Sequence, residues 1–256
     1  MEQESGSSNY AGYENYDRPS VAVDAVVFGV ESYETSTMEG KRLKILLVRR
    51  GEEPFKGCYS LPGGFLRQGE TAEEAVEREL LEETGTACSR LIPLKVYSGR
   101  GRDPRGWIIS TAYISLMNTV RLSTRSDSDA ACAVWLDVHY ESEGGERLII
   151  SDGCGFEAIL TENGSSDAFA FDHSQIIFDG FRKLQDETRY HDIIFDLMPE
   201  TFTVSGLHEP YRMILGKNET VQAFRKRMSG KIEETDMFDN TKMAHRKSKL
   251  YRRRKD

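Results

Sequence analysis

The sequence is poor in the groups that most often reveal a chemistry at sight. It has four cysteines in 256 residues, Cys58, Cys88, Cys132 and Cys154, widely spread and with no C-x-x-C pair. That spacing argues against a zinc site and against a secreted disulfide framework, and for a reducing cytoplasmic compartment. The five histidines fall in no metal-ligand pattern, and no Ser/His/Asp or Cys/His constellation is evident. No apolar run approaches the roughly 18 residues a membrane span needs, so no membrane partner is expected. The first residues carry Glu2 and Glu4 and no apolar core, unlike a signal peptide. Apolar residues make up 38% and charged residues 30%, which suits a globular chain with polar tails.

The net charge of −8 is unevenly spread. From Lys217 to Asp256 there are 13 basic and 6 acidic side chains, a net +7; the other 216 residues carry 21 basic and 36 acidic, a net −15. A basic end on an acidic body points to a polyanion partner for that end. Residues 1–19, rich in Ser, Gly, Asn and Glu, read as a flexible tail, 20–169 as a first domain and 170–256 as a second.

Val21–Val30 and Leu43–Val48 read as apolar strands joined by a polar loop over 31–42. Arg49 and Arg50 close the second strand, where they face either a phosphate or solvent. Strands are expected again at Leu91–Tyr97, at Ile108–Leu116 and around Val134-Trp135-Leu136. Asp127 and Asp129, in a polar loop, are candidates for a further ligand or base. Between Tyr140 and Ser166 two apolar runs flank Ser151–Gly155, an inserted hairpin over about 140–166 with no chemistry to assign. From His173 the apolar spacing becomes helical, predicting helices over about 173–188, 190–197 and 205–215. After the turn Gly216-Lys217-Asn218, Asn218 is expected to cap a helix over Glu219–Met228 with Val221, Phe224 and Met228 inward. Ile232–Phe238 and Lys249–Arg253 then pair as strands. His173, His191 and His208 fall on helices as packing or capping residues.

The most informative stretch is Gly64 to Thr86, GFLRQGETAEEAVERELLEETGT. Thr71 and Glu74 have the spacing of a capping box, worth roughly 1 kcal/mol. Good helix formers follow, and Gly85 suits the left-handed residue past the end, so a helix is predicted over about Ala72–Thr84. Glu79, Glu82 and Glu83 then share one face within roughly 100°. Like charges at that spacing repel, so something should sit among them. Clustered carboxylates are hard oxygen ligands that suit Mg²⁺ or Mn²⁺ holding a phosphate. Arg78 is placed to brace Glu70, and the Pro62-Gly63-Gly64 turn lets backbone approach an ion or phosphate closely. A solvated acidic face is the plain alternative, and the fixed spacing decides against it. The segment resembles the Nudix box, G-x5-E-x7-R-E-U-x-E-E-x-G-U with U a bulky aliphatic, departing only at Thr86.

That resemblance implies a Nudix α/β/α sandwich with a mixed sheet and metal-dependent pyrophosphate hydrolysis. Glu79, Glu82, Glu83 and the carbonyl of Gly63 or Gly64 would be ligands, with Arg78 and Glu70 bracing them. The loop Gly99–Trp107 carries Arg102 and Arg105 in an R-D-P-R-G order that resembles Nudix enzymes acting on ADP-ribose. With Arg49 these form the expected substrate set. The C-terminal order of helix, tight turn, basic helix and strand pair resembles a winged helix-turn-helix, which implies an α+β chain overall and a double-stranded DNA partner. Gln222, Arg225 and Lys226 would reach base edges, while Arg246, Lys247 and Lys249 would meet phosphates. The phrases RPSVAVD, LPGGF, AFDH and FTVSGLHEPYRMILG resemble the Nudix-related transcriptional regulators of NAD metabolism. That family implies a homodimer that binds ADP-ribose or a related metabolite and operator DNA. Many members have lost box residues, whereas this sequence keeps the full acidic set, which favours retained catalysis. A sensing repressor that binds without cutting, and a plain hydrolase with a dimerisation tail, are the alternatives.

Overall fold

The computed structural model describes residues 16–34, 39–85, 87, 90–118, 120, 133–239 and 248–254. The first half runs β1 (Ser20–Glu34), β2 (Glu39–Arg49), β3 (Tyr59–Ser60), β4 (Gly63–Phe65), α1 (Ala72–Thr84), β5 (Leu91–Tyr97) and β6 (Ile108–Met117). It continues with β7 (Ala133–Glu141), β8 (Arg147–Ser151), β9 (Glu157–Leu160), α2 (His173–Tyr190) and a 3₁₀ turn over Ile193–Leu197. The last elements are α3 (Val204–Leu215), α4 (Val221–Met228), β10 (Ile232–Asp239) and β11 (Ser248–Arg253).

The main sheet has the order β5-β6-β1-β2-β7-β8-β9, with β3 on β2 and β4 on β1. It is mixed, because β1 and β6 are parallel while β2 and β4 run antiparallel to β1. The near-continuous apolar run of β1 fits a strand covered on both faces. Its side chains alternate between two cores: Val23, Ala25 and Val27 pack with Ala75, Val76 and Leu80 of α1, and Val26, Phe28 and Val30 pack with α2 and α3. The result is a three-layer α/β/α sandwich. On the α2 side, a Cβ on Gly180 would come within 3.0 Å of Val26, so the helix lies closer to the sheet than a larger residue permits.

Two expectations change here and one gains a context. The polar segment 31–42 is not a plain loop, since the β1–β2 ladder continues to Glu34 and Glu39. Its Glu31 pairs across the strands with Lys44 at 3.2 Å, which also meets Asp137 at 2.8 Å. The hairpin expected over about 140–166 forms as β8 and β9, which pair antiparallel, extend the sheet beyond β7 and bury Leu148, Ile150, Ala158 and Leu160. Finally, α2 packs on the sheet through Ile176, Ile177, Phe181 and Leu184, so we place the junction with the second unit after α2 rather than at residue 170.

The second unit consists of the 3₁₀ turn, α3, α4 and the β10–β11 hairpin. Thr203 caps α3 by accepting the Gly206 N–H at 3.0 Å, and Gly216 ends it at φ 62°. Its core of Leu207, Ile214, Phe224, Met228, Ile232 and Tyr251 is continuous with that of the sheet. Two buried or half-buried joints cross the junction: Gln185 Nε2 donates to Ile214 O at 2.8 Å and Lys41 N–H to Glu209 Oε1 at 2.8 Å. Among the described residues no helix is long and apolar enough to cross a membrane.

Candidate functional site

Helix α1 forms as its sequence dictates. The Thr71 hydroxyl accepts the Glu74 N–H at 3.2 Å, the Glu74 carboxylate accepts the Thr71 N–H at 2.8 Å, and Gly85 ends the helix at φ 66°. Arg78 braces the preceding loop with a fork onto Glu70, Nε to Oε1 at 2.6 Å and Nη2 to Oε2 at 2.9 Å, and with Nη2 to Phe65 O at 3.1 Å. That guanidinium, then the Arg67 N–H, hold the Glu70 carboxyl down at about 2. Arg78 also donates to Glu79. A Cβ on Gly63 would collide with the Val23 carbonyl oxygen, so that position accepts only glycine, and one on Gly64 would displace the Glu79 carboxylate.

The three glutamates share the helix end nearest that turn, but each has its own protein partner. Glu79 is bonded to Arg78, Glu82 is 3.3 Å from Arg67, and Glu83 Oε2 accepts the Gly63 N–H at 3.0 Å. Among the described residues no three acidic, histidine or cysteine side chains converge as a metal cluster. The expected ligand set is thus present in kind and not drawn together in this structure. Asp127 and Asp129 lie outside the described residues.

Beside the turn is a cleft of about 140 Å³ walled by Asp24, Arg50, Gly63, Gly64, Phe65, Glu83, Arg102, Arg105, Phe171 and His173. It adjoins a hollow of about 450 Å³, with which it shares Arg102 and Phe171, and into which Arg100 and Gln175 also face. The expected arginines divide. Arg105 stands between the Phe65 and Phe171 rings, 5.2 and 5.0 Å from their centroids, and forks onto Asp103 at 3.0 and 2.7 Å. Burial would raise the Asp103 carboxyl, but the Arg105 bonds outweigh it and hold it low. Arg102 is buried and forks onto Asp172 at 2.9 and 2.7 Å, so it shapes the cleft wall. Arg49 is not in the cleft: it lies exposed at the end of β2, 3.4 Å from Gly57 O. Adjacent strand residues point to opposite faces, and it is Arg50 that turns inward, 5.0 Å from the Phe171 centroid. Burial first, and Arg105 second, lower the affinity of Arg50 for its proton.

Behind this wall lies a buried polar network that sequence reasoning missed. His173 begins α2 and accepts the Leu61 N–H on Nδ1 at 2.8 Å, which leaves Nε2 to donate toward Asp24 Oδ1 at 3.4 Å. Asp24 also accepts from Ser110 and lies 3.7 Å from Arg102. Burial pushes the His173 pKa down, against the pull of Asp24. The one available signal was Asp24 itself, a lone acid inside an apolar strand run.

In the second unit, α4 starts two residues later than expected, capped by Thr220 rather than Asn218, with the Ala223 N–H at 3.3 Å. Val221 is consequently 39% exposed, not inward. Gln222, Arg225 and Lys226 are exposed on this helix. Arg225 reaches sideways to Tyr251 on the hairpin at 2.8 Å, and Lys249 lies over the Phe238 ring at 4.8 Å. Arg246 and Lys247 lie outside the described residues.

Comparison with known proteins matches this architecture. The family model for the NUDIX domain matches residues 23–143, and that for the NrtR DNA-binding winged helix domain matches 194–253. The chain is 32% identical over 243 residues to the ADPR responsive transcriptional repressor NtrR of Acinetobacter baylyi, covering 93% of this chain and 83% of that one. It is 41% identical over 127 residues to the ADP-ribose pyrophosphatase of Methanocaldococcus jannaschii, covering 50% and 67%. The crystal structure of Shewanella oneidensis NrtR complexed with a 27mer DNA superposes with a TM-score of 0.64 at 25% identity, covering 91% of this chain and 93% of that chain.

Proposed function

Because this chain belongs to the NrtR family of Nudix-domain proteins with a DNA-binding winged helix, we propose that it is a transcriptional regulator whose DNA binding responds to a nucleoside diphosphate derivative, ADP-ribose first. The observation that carries this reading is one continuous core joining a glycine-walled, arginine-lined cleft to an exposed basic helix. In the cleft Arg50, which has no carboxylate bonded to it among the described residues, and Arg105 would meet the diphosphate, and Phe171 would flank a planar or sugar moiety in the adjoining hollow. On DNA, Gln222, Arg225 and Lys226 would face the major groove and Lys249 a phosphate. We carry over a homodimer, which would require two half-sites.

The acid set also supports retained hydrolysis. Three carboxylates at one helix end, with a glycine cradle that a Cβ would fill, suit Mg²⁺ or Mn²⁺. Glu79, Glu82 and Glu83 would hold the ion with the Gly64 carbonyl; when bound, it supplies charge neutralisation of the diphosphate and a more acidic water. Arg78 and Glu70 keep the helix and the turn in register for this. A second reading, sensing without cutting, is favoured by the protein partners that Glu79, Glu82 and Glu83 already have.

The test uses the full chain. Fluorescence anisotropy at near-physiological salt should show one class of genomic fragment bound more tightly than random duplex, with the preference shifted by ADP-ribose. Product analysis with Mg²⁺ should show ADP-ribose cleavage that Glu83→Gln abolishes. Stabilisation by ADP-ribose without product would leave the sensor alone. Cleavage with no DNA preference, with or without ADP-ribose, would leave only a hydrolase.

A further inference from the structure

The side chain that faces Arg225 is not on its own helix. On the β10–β11 hairpin, Glu234 and Tyr251 are register partners, and both reach Arg225. Arg225 Nη2 donates to the Tyr251 hydroxyl at 2.8 Å and lies 3.3 Å from Glu234 Oε1, while the Tyr251 hydroxyl donates to the same Oε1 at 2.9 Å. Tyr251 is itself well anchored. It is 6% exposed and is tied by both backbone groups to Phe202, N–H to O at 2.8 Å and O to N–H at 2.9 Å. Burial and Glu234 keep its hydroxyl protonated, as this donation requires. The Arg225 side chain remains more than half exposed, and the knot occupies Nη2 alone, leaving Nε and Nη1 with no partner among the described residues.

We propose that Glu234 and Tyr251 are specificity-setting residues for DNA: without touching it, they fix the direction of the Arg225 guanidinium and remove part of its charge. The inference rests on the DNA-binding reading above. An arginine free to swing finds a phosphate on any sequence, and one phosphate contact adds affinity without selectivity. An arginine held at one end by a buried hydroxyl has fewer orientations in which to do so. It therefore gains more from a base edge that meets it in place. The adjacent carboxylate also disfavours a phosphate at that position, so the wing discriminates against random DNA by repulsion as well as by aim.

The experiment selects a preferred duplex for the full-length wild type from a randomised duplex library. It then measures binding of that duplex and of random duplex across salt for Glu234→Gln, Tyr251→Phe and each in an Arg225→Ala background. Glu234→Gln should bind random duplex ~3-fold more tightly, steepen the salt dependence by about one unit, and lower the ratio of preferred to random binding ~10-fold. Tyr251→Phe should lower the ratio in the same direction. In the Arg225→Ala background neither change should move the ratio, because both act through that side chain. If wild type selects a duplex and both variants keep its ratio, this inference falls and DNA binding stands. If the ratio falls equally with Arg225 absent, Glu234 acts by its own charge and the inference is again overturned. If wild type selects nothing, the DNA-binding reading fails and takes this inference with it.

Discussion

In the cleft, the Arg102 side chain is 6% exposed and forked onto Asp172 with Asp24 behind, while the exposed Arg105 is forked onto Asp103. On α4, Gln222 and Lys226 stand in solvent, and Lys226 has no carboxylate partner among the described residues. The same kinds of cation thus serve different ends. A buried guanidinium needs its counter-charges already in place, because desolvation costs more than a distant ligand could return. An exposed ammonium loses little by waiting for a polyanion. The buried Arg102 side chain should therefore report on folding, and the exposed cations of the helix on binding.

The largest break in that contrast should come from the glycine turn. Gly63→Ala drives a Cβ into the Val23 carbonyl and should cost about 4 kcal/mol in urea denaturation. An equal loss from Gln222→Ala, which touches neither core, would erase the distinction between the two regions. Arg102→Leu comes next. It leaves Asp172 and Asp24 without their cation and should cost about 3 kcal/mol; a change under about 0.5 kcal/mol would mean the cleft arginines are as dispensable as surface ones.

His173 sharpens the comparison through pH. Its folded pKa lies below the unfolded one because of burial. The unfolded chain therefore takes up a proton first, and the His173 contribution is fully present above about pH 6.5 and lost as pH falls toward the folded value. Stability should drop by at most about 1.4 kcal/mol per pH unit in that window from this group. His173→Gln should remove this slope, as read by thermal melts at successive pH values, whereas His191→Gln, on an exposed site, should not. The smallest stability effect belongs to Lys226→Ala. It should leave the fold within about 0.5 kcal/mol, yet weaken binding to all duplexes alike and lower the salt dependence by about one unit. A sequence-selective loss would move Lys226 from phosphate contact to base reading.

What the sequence made legible follows from how local each signal is. Helix α1 was readable to the residue because its caps, Thr71, Glu74 and Gly85, lie within one short segment and act through their own backbone. The brace from Arg78 to Glu70 was readable for the same reason, being fixed by helical spacing and a single loop. The network of Asp24, Arg102, Asp172 and His173 was not, since its members come from a strand, a loop and a helix start that only the tertiary fold brings together. Arg49 and Arg50 show how narrow the margin is: composition marks the pair, but only strand register says which one turns inward. The α4 cap was misread because Asn218 and Thr220 are both good caps, and Phe224 and Met228 face the core with either one. The glutamates were grouped correctly on one face, while their present partners, Arg67, Arg78 and the Gly63 N–H, follow from how the turn folds over them.

The chain has two tryptophans, and the fold puts them in unlike places. Trp107 closes the arginine loop beside Gly106 and is 57% exposed, while Trp135 lies in β7 with a buried indole N–H. Their emission should therefore separate by colour, a red-shifted band from the loop and a bluer one from the sheet. Movement of the arginine loop could be followed as a change in the red band, with the sheet signal as an internal reference, and no dye attached to the protein.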